Sequence, residues 1–118
     1  MHIAGYHAHL YFPTADPAEG AAVQQRVRER FGDAVTVGRF HAVPVGPHPI
    51  AMFQVAFPTA QLEGMVAWLI EHRAGRSVLI HPRTGDDVAD HRDHALWLGP
   101  ALPLDLKFLE DLARQESQ

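Results

Sequence analysis

Apolar and polar positions alternate from Ile3 to Phe12, with aromatic residues among them, which predicts a strand closed by Pro13. Ala8, Leu10 and Phe12 then share the face turned toward a core, while His7, His9 and Tyr11 share the other. The period changes at Asp16-Pro17-Ala18-Glu19, where an N-capping carboxylate, a Pro at the first helical position and an early acid open a helix. Val23, Val27 and Phe31 mark its buried face, and Gly32 ends it. Val35 to Phe40 predicts a second strand. His41 to Pro49 holds three Pro and a Gly and predicts a loop, followed by a third strand from Ile50 to Phe57. Pro58-Thr59 opens a second helix, with Leu62, Met65, Val66 and Leu69 at helical spacing and Gly75 beyond its end. Ser77 to His81 predicts a fourth strand, stopped by Pro82. A polar loop is expected over Arg83 to Asp93, and a short extra strand over His94 to Leu98. Leu104, Phe108 and Leu112 mark a short C-terminal helix with a fraying Gln-Glu-Ser-Gln tail.

The order β-α-β-β-α-β with a C-terminal helical extension is the split βαβ pattern: an α+β, ferredoxin-like antiparallel sheet with two helices on one face. A chain of 118 residues, 47% of them hydrophobic, suits one domain over residues 1–118. Strands one and three are expected at the centre, with the fourth antiparallel beside the first. Val78 and Ile80 then face the helices, and Leu79 and His81 the open side. Tyr11, Met52 and Leu79 make that side too apolar to stand wet, which predicts a bound ligand or a second copy packed on it, and hence a homodimer.

Composition narrows the chemistry. The absence of Cys excludes a disulfide framework, a thiolate metal site and a cysteine nucleophile. Ten Lys and Arg against 14 Asp and Glu give a net charge of −4, and no basic stretch is dense enough to follow a phosphate backbone, so nucleic acid is not an expected partner. No apolar run reaches the length of a membrane span, and the N-terminus lacks the basic start and apolar stretch of a signal peptide. A cytoplasmic location is expected. No Gly-x-Ser-x-Gly surrounds Ser77 and no Gly-rich phosphate loop opens either helix.

The nine His are what remains to explain. Strand residues i and i+2 sit about 6.5–7 Å apart, so His7 and His9 can lean together, and His81 on the neighbouring strand can complete a three-histidine metal site. An all-nitrogen set suits iron, zinc, nickel or copper more than magnesium or calcium. Asp86, Asp87 and Asp90, in the loop after strand four, could add a carboxylate. His41 and His48 flank Pro44-Val45-Gly46-Pro47, where a rigid loop can hold an acid/base in place. His94 is read with His48 as functional, and His91 as a surface residue or one hydrogen-bonded to a backbone carbonyl. Trp97 is read either as packing or as an aromatic pocket wall. Imidazole ligands must be neutral, so metal-dependent activity is expected to fall below about pH 6.5.

Five segments, taken together and in order, resemble the DOPA 4,5-dioxygenase family. They are Tyr6-His7-Ala8-His9-Leu10-Tyr11-Phe12, Gly38-Arg39-Phe40-His41, Pro44-Val45-Gly46-Pro47-His48-Pro49, Ser77-Val78-Leu79-Ile80-His81-Pro82 with Thr84-Gly85-Asp86, and Asp90-His91 through His94-Ala95-Leu96-Trp97-Leu98-Gly99. The resemblance covers nearly the whole chain. It implies a ferredoxin-like fold and an extradiol-type, ring-cleaving activity on a small aromatic diol with O2, using non-haem Fe(II). By position, the family's histidine-rich strand falls on His7 and His9 and its His-Pro motif on His81. His48, His94 and His41 are then the catalytic candidates, and Arg39, Tyr11 and Trp97 the substrate-binding ones, with Arg39 pairing with a substrate carboxylate. Two other readings stay open. One is a zinc-dependent enzyme of another reaction type; the other is a non-catalytic dimeric module that binds a small aromatic ligand.

Overall fold

In the computed structural model, which describes residues 1–117, the sheet has five strands. They are β1 (Tyr6–Tyr11), β2 (Thr36–Val37), β3 (Met52–Phe57), β4 (Val78–Pro82) and β5 (Leu96–Leu98), in the order β2-β3-β1-β4-β5 and antiparallel throughout. The four helices are α1 (Pro17–Phe31), α2 (Leu62–His72), α3 (Asp87–Arg92) and α4 (Leu106–Glu116). With β1 and β3 central and β4 beside β1, this is the ferredoxin-like arrangement expected, widened by β5 at one edge.

Local chemistry sets the first helix. The Asp16 carboxylate accepts from the Ala18 N–H at 2.9 Å, Pro17 occupies the first turn, and Gly32 ends the helix at φ 55, where a left-handed backbone suits glycine. Val23, Val27 and Phe31 of α1 join Met65, Trp68 and Leu69 of α2 over Ala8, Leu10, Phe53, Val55, Val78 and Ile80 of the sheet. Phe12 anchors this core, stacked on Phe53 at 5.7 Å and edge-on to Phe40 at 5.4 Å. Gly20 lets Phe40 come this close to α1, since a Cβ there would lie 2.5 Å from the ring. That contact also explains why β2 is shorter than the predicted Val35–Phe40. After Gly38 donates its N–H to Gln54, the chain leaves the sheet to drop Phe40 onto the helix.

Other boundaries moved for similarly local reasons. The polar stretch after Pro82 contains α3, capped by the Asp86 carboxylate accepting from the Ala89 N–H at 3.1 Å. The segment read as a C-terminal tail remains helical through Glu116, while Gln118 lies outside the described residues.

The second face of the sheet carries its own apolar cluster of Tyr11, Met52 and Leu79, all buried, with Ile50, Trp97, Leu102 and Leu104 packed against it. The chain's own C-terminal strap, residues 99–105, thus packs Leu102 and Leu104 onto the patch from which a second copy was inferred. α3 packs on α4, and the Asp105 N–H donates to the Pro47 carbonyl at 2.9 Å, tying the strap to the Pro-rich loop. No described helix is long and apolar enough to cross a membrane.

Candidate metal centre

The antiparallel register of β1 and β4 sets His7 directly opposite His81 and His9 opposite Leu79, so the three imidazoles project from the same side of adjacent strands. Their ligand nitrogens all lie within 4.8 Å of one another. His9 and His81 are each 3% exposed, and His7 is half-buried above them. Two more imidazoles close the ring. His48 comes from the Pro-rich loop, its centroid 4.2 Å from that of His9. His91 comes from α3, 4.0 Å from His81. His9, His48 and His91 form a second group with nitrogens within 4.8 Å. Together these side chains line one end of a cleft of ≈ 550 Å³, which Gln54, Arg83, Asp87 and Leu109 help to wall.

Hydrogen bonds made away from the cleft determine what each ring offers to it. His81 Nδ1–H donates to the Pro82 carbonyl at 2.9 Å, and His91 Nδ1–H to the Asp87 carbonyl at 2.7 Å. A carbonyl only accepts, so both rings keep a bare lone pair on Nε2. His9 Nε2 lies 3.0 Å from His81 Nε2 and must supply the proton between them when the pair is neutral. His9 Nδ1 is then a buried acceptor without a partner, the one side-chain atom so stranded among the described residues. An orphaned buried polar atom costs about 1–3 kcal/mol. The converging ring nitrogens of His7, His9 and His81 form a donor set that a cation satisfies. Two nitrogens about 2.1 Å from one ion at right-angled positions stand about 3.0 Å apart, as His9 and His81 do. The residues fit a borderline transition metal.

Electrostatics favour neutral, ligand-competent rings. Burial, aided by nearby Arg83 and His91, holds His7 down to about 4. Burial first, then His91, lowers His81 to about 3, and burial with His91 and His41 lowers His48 to about 4. His9 is pushed well below the usual histidine range by burial and by its four neighbouring rings. The threshold near pH 6.5 expected from the sequence therefore moves down. Between about 6.5 and 3–4 the unfolded chain holds more protons than the folded one, so this stability is full above pH 6.5 and drains away as pH falls. At about 1.4 kcal/mol per pKa unit, protonating buried His48 and His81 costs the fold several kcal/mol. Denaturation curves of metal-free protein should show stability level above pH 7 and falling steeply between pH 6 and 4. A flat profile there would contradict the buried neutral cluster.

The structure brings His7, His9, His81 and His48 together, as expected, and adds His91, which the sequence had suggested was a surface residue or one bonded to a backbone carbonyl; it bonds the Asp87 carbonyl as read, but it also lines the cleft. The five-residue gap from the Asp86 cap to His91 was the available signal, since it sets His91 one turn above the Asp87 carbonyl. His94 and His41 do not line the cleft, and His41 instead pairs by its backbone with Met52. Arg39 is exposed and away from the cleft, whereas Arg83 stands on its wall. Tyr11 is fully buried, its hydroxyl 2.7 Å from His48 Nδ1, and Trp97 stacks on it at 6.0 Å, so both lie behind the wall and neither faces the cleft.

A ferredoxin-like sheet with a histidine ring set into one face is a scaffold suited to a metal-dependent catalyst. The chain belongs to the Dopa 4,5-dioxygenase family, whose model matches residues 6–108. It is 31% identical over 111 residues to the DOPA 4,5-dioxygenase of Amanita muscaria, an alignment covering 88% of this chain and 49% of that protein. It is 37% identical over 101 residues to an uncharacterized 21.2 kDa protein of Botryotinia fuckeliana, covering 79% of this chain and 55% of that one. The chain thus spans about half the length of these curated relatives. A crystal structure of a candidate dioxygenase from Nostoc punctiforme superposes with a TM-score of 0.79 at 47% identity, covering 93% of this chain and 94% of that one.

Proposed function

We propose that the protein is a non-haem Fe(II)-dependent, extradiol-type ring-cleaving dioxygenase acting on a catechol such as DOPA or a related dihydroxy-aromatic. The observation that carries this reading is the buried His7, His9 and His81 group at the end of the cleft, in a chain of this family. These three residues hold the metal. When bound, Fe(II) supplies a Lewis-acidic centre that lowers the pKa of catechol hydroxyls and a site for O2.

The chain's own groups do the rest. His91, its Nδ1 held by the Asp87 carbonyl, turns Nε2 to the cleft and can accept a catechol proton there, the role the sequence had suggested for His48 or His94. His48 lines the same cleft, its ring centroid 6.3 Å from that of His91. Arg83 takes over from Arg39 as the guanidinium that pairs with a substrate carboxylate. A volume of ≈ 550 Å³ is within the usual range for small-molecule sites and ample for a single substituted ring. Leu109 gives the cleft an apolar wall.

Oxygen uptake by anaerobically prepared, Fe(II)-loaded protein should rise on adding DOPA or a simpler catechol, with a new visible absorbance that metal-free protein does not produce. Bound iron without uptake on any catechol would overturn the proposal. Tight zinc binding would then favour a zinc enzyme, and chelator-insensitive binding of an aromatic ligand a non-catalytic module.

A further inference from the structure

His48 differs from the other cleft histidines in the group that holds its outer nitrogen. His81 and His91 donate to carbonyls, which dictate Nδ1–H. His48 Nδ1 meets a phenol, which can either give or take a proton. The surroundings of Tyr11 decide between the two. Its ring is fully buried in an apolar cluster with Met52, Leu79 and Trp97, and His48 is the hydroxyl's one partner among the described residues. If Nδ1–H were the donor, the phenol proton would be left orphaned at a cost of about 1–3 kcal/mol. If the phenol donates, its proton is satisfied, Nδ1 is the acceptor, and the imidazole proton sits on Nε2.

We propose that Tyr11 is a positioning residue that holds His48 as the Nε2–H tautomer, making His48 a hydrogen-bond donor to a substrate oxygen and not a ligand of the metal. The donor role rests on the reading of the cleft as the substrate site; the tautomer does not. The backbone reinforces the arrangement. His48 N–H donates to the Val45 carbonyl at 3.0 Å, Pro47 and Pro49 stiffen the loop on either side, and the strap holds the Pro47 carbonyl through Asp105. His9, His48 and His91 have nitrogens close enough for a shared ion, yet this tautomer turns an N–H, not a lone pair, toward it. The ion is thus left to the strand histidines, with His91 the loop or helix ring that still carries a lone pair.

The deciding measurement is the imidazole ¹⁵N spectrum of labelled metal-free protein, assigned with His48→Gln. His48 should appear as Nε2–H, and His81 and His91 as Nδ1–H. Tyr11→Phe should move the His48 pattern alone, toward mixed tautomers. Fe(II) affinity should stay within about threefold of wild type in both Tyr11→Phe and His48→Gln, because neither removes a ligand. In iron-loaded Tyr11→Phe, kcat should fall about 10- to 100-fold, the usual effect of losing an outer-shell partner, with KM changing much less. An Nδ1–H signal for His48, or a tenfold loss of metal affinity in His48→Gln, would overturn the proposal. The spectrum and the affinities decide this even if no catechol is turned over, which would instead count against the dioxygenase reading.

Discussion

Changing His9 to Ala should weaken Fe(II) binding by more than about 100-fold, beyond the 10- to 100-fold typical of losing a partner outside the ligand shell, and abolish oxygen uptake with it. His9 touches every part of the ring: its Nε2 faces His81, its ring lies over by His48, and it belongs to both groups of converging nitrogens. The fold should survive. Removing the imidazole opens a small void, but it also removes the stranded Nδ1, and the two effects on stability oppose one another. Calorimetric titration of Fe(II) beside a thermal melt of the same variant separates loss of the site from loss of structure. His72→Gln, at the far end of α2 against Trp68, is the matched control and should bind iron and turn over as wild type does. Wild-type iron affinity in His9→Ala would remove His9 from the ligand set.

Deleting the strap and α4, by ending the chain at Gly99, should have the larger effect on stability. It would bare Tyr11, Met52 and Leu79, now at most 5% exposed, and remove Leu102, Leu104 and Leu109 from their contacts. At about 1.5 kcal/mol for each of the three sheet residues uncovered, the loss is roughly 4–5 kcal/mol, a large share of the 5–15 kcal/mol that holds a typical domain together. Thermal melts should show a midpoint lowered by well over about 10 °C, and an apolar dye should bind the truncated form and not the whole chain. A truncated chain that melts as wild type does and binds no dye would show the strap to be incidental. The homodimer first inferred from this patch is tested in the same samples: sedimentation of the whole chain reports whether two copies associate while the strap is in place.

The parts legible in the sequence are those with a period. Alternation in β1 put His7, His9 and Tyr11 on one side and Ala8, Leu10 and Phe12 on the other, and both faces are as read. Pairing of β1 with β4 then followed from the order of elements. What escaped notice lacked a period or depended on distant contacts. α3 has six residues, too few for a helical stripe, so His91 looked like part of a polar loop. Arg39 and Arg83 are indistinguishable by composition, and only the path of the chain after Gly38 shows which of them reaches the cleft. Tyr11 shares a face with the clustered histidines, and spacing alone could not show that the strap packs over it and leaves its hydroxyl on His48. The apolar residues of β5 and the strap were visible, but sequence does not say whether such a patch is covered by its own chain or by another.

The two halves of the metal site lie far apart along the chain, with 72 residues separating His9 from His81. During synthesis the first strand emerges with its pair of imidazoles long before the fourth strand can be paired with it. Such long-range pairing is a late and slow event in folding. A nascent chain therefore offers a metal ion only a weak, unshaped pair of ligands, and on the proposed reading the ion would be taken up by the finished protein. If the ion is iron, as proposed, and binds the folded form and not the emerging one, the cellular iron supply would act on how long each molecule lasts after synthesis, adding RT ln(1 + [Fe]/Kd) to its resistance to unfolding. Iron starvation would then deplete the protein itself as well as its activity.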